Sequence, residues 1–281
     1  MDDSETPEDG RETTGERFSS FTKRNFVLVA VFFLSNLLTA VSTLVTAVTV
    51  LGESQKDWRA AEYRKLRELR AGYTLEKFQK ELGPPVFRTP LEPGSALVRN
   101  VYRPREQYWV ETISNKNNAT VTYAVTTCDP TFRPEFFFNE QRVVLNETTL
   151  SEVLPAPEQR AASLKIFFGG TGSSPNLVFI VYGGGGGTNY RQFAWGLNDV
   201  CPTWHAKTPG YDPQSSWGEW YQEHRPAEDP PGHSFLAGQL DERATDIMAE
   251  SVVNTYAETA FAEDMLTYYP TQIGVSRLIV Q

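Results

Sequence analysis

Apolar and polar positions change rhythm several times along this chain, and each change predicts a different element. Phe26 to Leu51 holds no charged residue; as a helix these 26 residues rise roughly 39 Å, enough to cross a ~30 Å hydrocarbon core with some tilt. A cleaved secretory leader needs a shorter apolar run with a small-residue site soon after it, and Ala47-Val48-Thr49 comes too late. The pattern therefore predicts an N-terminal transmembrane helix over 26–51. Within it, Ser35, Thr39, Ser42, Thr46 and Thr49 are spaced 4, 3, 4 and 3, which puts five small hydroxyl residues on one face, with Asn36 beside them. Such a stripe suits close packing against a second membrane helix, where small residues and hydrogen bonds replace the missing hydrophobic drive. The alternative is that the hydroxyls bond back to carbonyls of their own helix.

Gly52 is the only helix breaker before Gly72, so the helix is expected to continue as a juxtamembrane segment over 52–72, with basic side chains alternating with Glu62 and Glu68. Thr74 then reads as the N-cap of a short helix whose apolar stripe is Leu75, Phe78 and Leu82, stopped by Gly83-Pro84-Pro85. Ser95 to Arg103, Glu106 to Ser114 and Ala119 to Asp129 read as an antiparallel meander, with Asn115 to Asn118 as a tight turn. This first part spans 73–160.

A second α+β part is expected over 161–281. Leu164 to Phe168, Leu177 to Tyr182 and Arg191 to Trp195 read as strands, with glycine-rich links after the first two. Ala244, Ile247, Met248, Val252, Tyr256 and Phe261 recur at near-helical spacing after Asp241, predicting one long helix, and Ile273 to Val280 a closing strand. Residues 202–238, rich in proline, read as a long irregular loop.

Composition narrows the function classes. A net charge of -9 over 281 residues makes nucleic acid an unsuitable partner, and 40% hydrophobic residues suffice for a core outside the membrane. Residues 1–25, with seven acids and four bases, have too little apolar content to fold and read as a disordered acidic tail. The glycine runs lack the Lys-Ser/Thr ending of a phosphate loop, and Cys201, His205, His224 and His233 lack the two short ligand pairs of a structural zinc site. No catalytic motif, cofactor site or metal site is assigned. Trp204, Tyr211, Trp217 and Trp220 form an aromatic group that serves either as a ligand-contact surface for a glycan or peptide or as packing for the loop.

Gly72-Tyr73-Thr74-Leu75-Glu76, then Leu82-Gly83-Pro84-Pro85 and an aromatic hairpin, resembles the repeat unit of the SmpA/OmlA (BamE) outer-membrane lipoproteins and of β-lactamase-inhibitor proteins. The resemblance covers about residues 70–129. The order of span, Trp58, Tyr63 and LGPP is also similar to uncharacterised bacterial membrane proteins of the ETEC-type hypothetical class. Either resemblance implies a helix on a small antiparallel sheet acting as a protein-contact module.

The flanking charges of the span are nearly balanced, so orientation rests on the Thr/Tyr/Gly-rich composition and the lipoprotein resemblance, which favour an extracytoplasmic domain at the cell membrane. In that compartment Cys128 and Cys201 are able to form a disulfide. The expectation is an α+β single-pass membrane protein whose partners are the bilayer, itself or another membrane helix, and an envelope protein or glycan. The rival class is a protein that binds or hydrolyses an envelope polymer.

Overall fold

The computed structural model describes residues 36–37, 40–43, 58–138, 141–153, 164–169, 177–183, 191–201, 204–224, 234–236, 239–261, 263–270 and 272–280. The chain forms two compact units, Met1–Ala60 and Ala61–Gln281. In the first, residues 36–37 and 40–43 are helical, and Asn36, Leu37, Val41 and Ser42 are exposed. The remainder of the expected span, with Ser35, Thr39, Thr46 and Thr49, and the acidic tail lie outside the described residues. Among the described residues no helix is long and apolar enough to cross a membrane.

The second unit is α+β, built on a nine-stranded antiparallel sheet in the order β1-β2-β3-β4-β13-β9-β8-β7-β11. Its first half is the meander β1 (Phe87–Pro90), β2 (Val98–Arg105), β3 (Tyr108–Ser114) and β4 (Thr120–Thr127). Its second half is β7 (Leu164–Gly169), β8 (Leu177–Gly183) and β9 (Gln192–Gly196), with β11 (Ser234–Leu236) at the far edge. These halves are not separate parts: β13 (Thr255–Thr259) lies between β4 and β9 and bonds to both. The expected long C-terminal helix is thus divided. Its first stretch is α4 (Glu242–Glu250), burying Ala244, Ile247 and Met248, whereas Tyr256 belongs to the central strand. Apolar residues recurring over so long a stretch satisfied the helical period while Thr255-Tyr256-Ala257-Glu258-Thr259 favoured a strand buried on both faces.

Pairing sorts the side chains by face. Tyr108, Val110, Tyr123, Val125, Tyr256, Phe193 and Trp195 share one face. Leu66 and Leu69, from the end of α1 (helical over 58–68) and just beyond it, are wholly buried, and Phe78 of α2 (Leu75–Leu82) meets Tyr123 at 5.4 Å between ring centroids. Phe132 stacks on Tyr108, and Phe136 and Phe138 of β5 (Glu135–Phe138) stack on Tyr256 and Trp195. The opposite face carries a row of small residues, Ala124, Ala257 and Ala194, directly paired across β4, β13 and β9. Over that row pack Met265, Tyr268, Tyr269 and Ile273. The expected closing strand is instead an irregular segment ending in α5 (Arg277–Val280). Gly274 explains part of this: its φ is +74°, and a Cβ there would come within 2.6 Å of Thr126 Oγ1, so the segment approaches the sheet where no side chain fits.

The presumed loop 202–238 also contains structure. β10 (His205–Ala206) pairs with β12 (Ser251–Val252), and α3 (Pro213–His224) is a helix of 12 residues. Asp212 caps it, its Oδ1 accepting the Gln214 and Ser215 N–H groups, and Pro213 occupies the first helical position.

Candidate functional site

The helices α1 and α2 meet at an elbow, residues 69–74, that is fixed by three backbone hydrogen bonds to the start of β4 and the turn before it. Gly72 N–H donates to Thr120 O at 2.6 Å, Thr120 N–H donates back to Tyr73 O at 2.9 Å, and Leu75 N–H donates to Asn118 O at 2.8 Å. Gly72 has φ +94°, which lets the chain turn here. Thr74 then caps α2 by accepting the Lys77 N–H.

Beneath the elbow lies a buried carboxylate. Glu258, 1% exposed, accepts the Ala71 N–H at 2.7 Å and the Tyr256 hydroxyl at 3.0 Å, with Arg191 Nη1 at 3.7 Å. Burial raises its pKa above the usual carboxylate value, while nearby Arg70 and the Ala71 N–H oppose the rise. On the same face, Glu62 of α1 accepts from Tyr108 and Lys65. Burial pushes the Glu62 pKa up, but the hydrogen bonds from Tyr108 and Lys65 outweigh it and the net shift is downward.

A third carboxylate, Glu111, sits on the opposite face, beside Ala124 at one end of the alanine row. Arg99 Nε is 3.4 Å from its Oε2, and burial raises its pKa to about 7. Glu111 and Glu258 are therefore separated by the sheet itself. They do not flank a common space, as a pair sharing acid and base duties would need to.

Above the elbow is an open cleft of about 600 Å³ lined by Glu68, Gly72, Tyr73, Thr74 and Lys77. Tyr73 is 42% exposed there. Lys77 pairs with Glu81 at 2.8 Å, and that hydrogen bond raises its pKa, so it remains a cation. The cleft thus offers an aromatic ring together with an anionic and a cationic side chain.

The β1 edge is another exposed feature, with Val86 and Phe87 both accessible. Val86 N–H donates to Val101 O while Phe87 is also paired with Val101, so two residues oppose one, a bulge. Leu91 N–H donating to Leu97 O sets the register so that Pro90 faces outward, where it offers no donor. Bulge and proline blunt this edge against strand addition.

The aromatic group, read from sequence either as a ligand-contact surface or as packing for the loop, is mostly interior, as the packing reading has it. Trp217 and Trp220 are fully buried, and their indole N–H groups donate to Ser251 Oγ at 2.9 Å and Asp241 Oδ1 at 2.8 Å. Trp204 is buried and Tyr211 half-buried. The Asp212-Pro213 pair is a helix-start signal that would have placed Trp217 and Trp220 on a packed helix. Cys128 and Cys201 are joined, their Cα atoms 5.0 Å apart, which removes Cys201 from any metal site. Among the described residues no group of three or more His, Cys, Asp or Glu is placed to hold a metal. Glu258 and Glu111 carried no sequence signal, because an inward carboxylate in a strand is indistinguishable from an outward one until the pairing is known.

No protein-family model matches the chain, and no curated protein and no solved structure matches it.

Proposed function

We propose that this chain is a membrane-anchored protein-binding module. Segment 26–51 spans the bilayer and pairs with another helix through its hydroxyl stripe, and the domain from Ala61 onward stands on the extracytoplasmic side. The observation that carries the binding reading is the elbow cleft. An exposed Tyr73, sharing the cleft with Glu68 and Lys77, is held on a backbone clamped to β4 and to Glu258. Tyrosine is among the residues that dominate protein interfaces, and a ring on a rigid backbone loses little entropy when it is covered. The open shape favours a protein surface over an enclosed small molecule. The Cys128–Cys201 bond supports the extracytoplasmic placement, since disulfides persist in oxidising compartments.

The test is site-specific photo-crosslinking of the full chain in its native membrane. A crosslinker at Tyr73 is expected to give a discrete protein adduct, whereas one at the exposed Phe137, on the separate hairpin of β5 and β6 (Gln141–Val144), is not. No adduct at Tyr73, or the same adduct at both positions, would remove the elbow as the contact surface.

A further inference from the structure

Two Asn-x-Thr triplets occur in the chain, Asn118-Ala119-Thr120 and Asn146-Glu147-Thr148, and the fold treats them differently. At the second, both polar side chains hold the structure together. Asn146 is buried, its Nδ2 donating to Asp129 O at 2.8 Å and Phe132 O at 3.0 Å, and Thr148 Oγ1 accepts the Val144 N–H at 2.9 Å. A substituent on Asn146 Nδ2 would displace those bonds from an interior site.

At the first triplet neither polar side chain serves the fold. Asn118 lies at the exposed tip of the β3–β4 turn with φ +58°, a conformation asparagine tolerates. Another residue closes the turn: Asn115 Oδ1 accepts the Asn117 N–H at 2.9 Å and the Ala119 N–H at 3.2 Å. Among the described residues the Asn118 side chain has no hydrogen-bond partner. Thr120 is wholly buried, and its Oγ1 likewise has no partner among them. A buried unpaired hydroxyl costs stability, and valine would fill a strand position of that shape without the cost. The asparagine is thus displayed and the hydroxyl two residues on is structurally idle, the reverse of the arrangement at Asn146.

We propose that Asn118 is an N-linked glycosylation acceptor and that Asn146 is not. This rests on the extracytoplasmic placement given above, and on the Asn-x-Thr pattern that the glycan-transferring enzyme reads. The co-reactant is an oligosaccharide carried on a lipid diphosphate. Asn118 Nδ2 attacks the anomeric carbon; the C–N bond forms as the anomeric C–O bond breaks, the amide proton passes to the enzyme's base, and the lipid diphosphate departs. Because Thr120 is buried in the folded domain, transfer precedes closure of β4 and takes place during translocation; a chain modified at Asn146 at that stage could not form the bonds from Asn146 Nδ2 to Asp129 O and Phe132 O and would not reach the folded state, so the folded protein carries no glycan there. The glycan then stands beside the elbow cleft, since Asn118 O accepts the Leu75 N–H.

The experiment expresses the full chain in eukaryotic cells that glycosylate secreted proteins and follows its gel mobility with and without a glycosidase that removes N-linked glycans. One mobility step is expected for the natural chain. Asn118→Gln and Thr120→Val should each abolish it, and Asn146→Gln should leave it in place. Thr120→Val separates lost modification from lost folding, because it removes only an idle hydroxyl and should leave the domain at least as resistant to protease. A step that survives Asn118→Gln, or one lost in Asn146→Gln, overturns the assignment. Pro93→Asn creates an Asn-Gly-Ser triplet in the exposed loop between β1 and β2 and serves as the topology control. Modification there but not at Asn118 overturns the proposal alone. Modification at neither overturns the extracytoplasmic placement with it.

Discussion

Glu258 Oε1 accepts the Ala71 N–H at 2.7 Å, joining residues 187 apart in sequence. One carboxylate in the central strand β13 therefore holds the start of the elbow that presents Tyr73. Glu258→Leu strands two donors, the Ala71 N–H and the Tyr256 hydroxyl, at roughly 1–3 kcal/mol each. Stability is expected to fall by about 3 kcal/mol in chemical denaturation of the full chain, and trypsin should gain access to the bond after Arg70. Glu258→Gln keeps an acceptor for Ala71 and should lose much less. Equal losses in both variants would mean that charge, and not the Ala71 hydrogen bond, is what the site requires.

Glu111 gives the fold a pH dependence of definite sign. Its folded pKa is raised from 4.5 to about 7 by burial, against the partial opposition of Arg99. Between those values the folded state binds more proton than the unfolded chain, so stability falls as pH rises from about 4.5 to about 7 and levels off above. The size is roughly 3 kcal/mol at about 1.4 kcal/mol per unit. Glu258, also raised, acts in the same direction, and Glu62, lowered, acts against it. The informative quantity is therefore the difference between the natural chain and Glu111→Gln. The variant should be more stable at pH 8 and should gain less, or nothing, at pH 5. Parallel pH curves for the two proteins would show that Glu111 does not titrate in this range.

Local signals in the sequence were reliable where one residue type decides the backbone. Thr74 and Gly83 bound α2, Asn118 takes the left-handed turn, and the three strands of the meander lie close to where their Val, Tyr, Trp and Thr content puts them, although Val121, Tyr123 and Val125 alternate as in a half-buried strand and β4 is buried on both faces. What local content does not encode is which distant strand fills a gap. β13 entered the sheet between β4 and β9 although its neighbours in sequence suggested a helix. Trp217 and Trp220 were legible either as a contact surface or as packing because proline nearby suggested a loop, and Pro213 in fact starts the helix that buries them. Of the elbow, Gly72, Tyr73 and Thr74 were visible as a turn and a cap. Glu258 was not, because its role depends on a contact with Ala71 that only the tertiary fold creates.

The hydroxyl stripe tests the membrane part of the proposed function. Ser35, Thr39, Ser42, Thr46 and Thr49 keep a 4, 3, 4, 3 spacing that a helix-pairing seam requires. Each interhelical hydrogen bond contributes only about 0.6 to 2 kcal/mol, so single changes should be nearly silent. Thr39, Ser42 and Thr46 changed together to Leu should weaken association of the span in a bilayer reporter assay. Leu37, Val41 and Leu44 changed together to Ile should not. Equal association would assign the hydroxyls to their own helix.

The Cys128–Cys201 bond sits where the two halves of the sheet are joined. Cys128 follows β4 and Cys201 lies beyond β9, and the strand between them, β13, begins where Thr127 N–H donates to Asn254 O and Asn254 N–H donates to Gly196 O. The bond thus closes over the end of β13 and restrains its insertion between partners that are distant in sequence. With the cysteines 73 positions apart in sequence, the chain-entropy account gives about 4 kcal/mol. Cys128→Ser with Cys201→Ser should lower the unfolding free energy by that order, and reductant should bring the natural chain to the same denaturation midpoint while leaving the variant unmoved. Partial openings should then begin at β13, because both of its neighbours are released at one end. Hydrogen exchange at Thr255 to Thr259 would report this as faster exchange in the variant than at β3. A variant as stable as the natural chain, with β13 as protected as β3, would mean that packing over the alanine row already fixes the strand and the covalent link adds nothing to it.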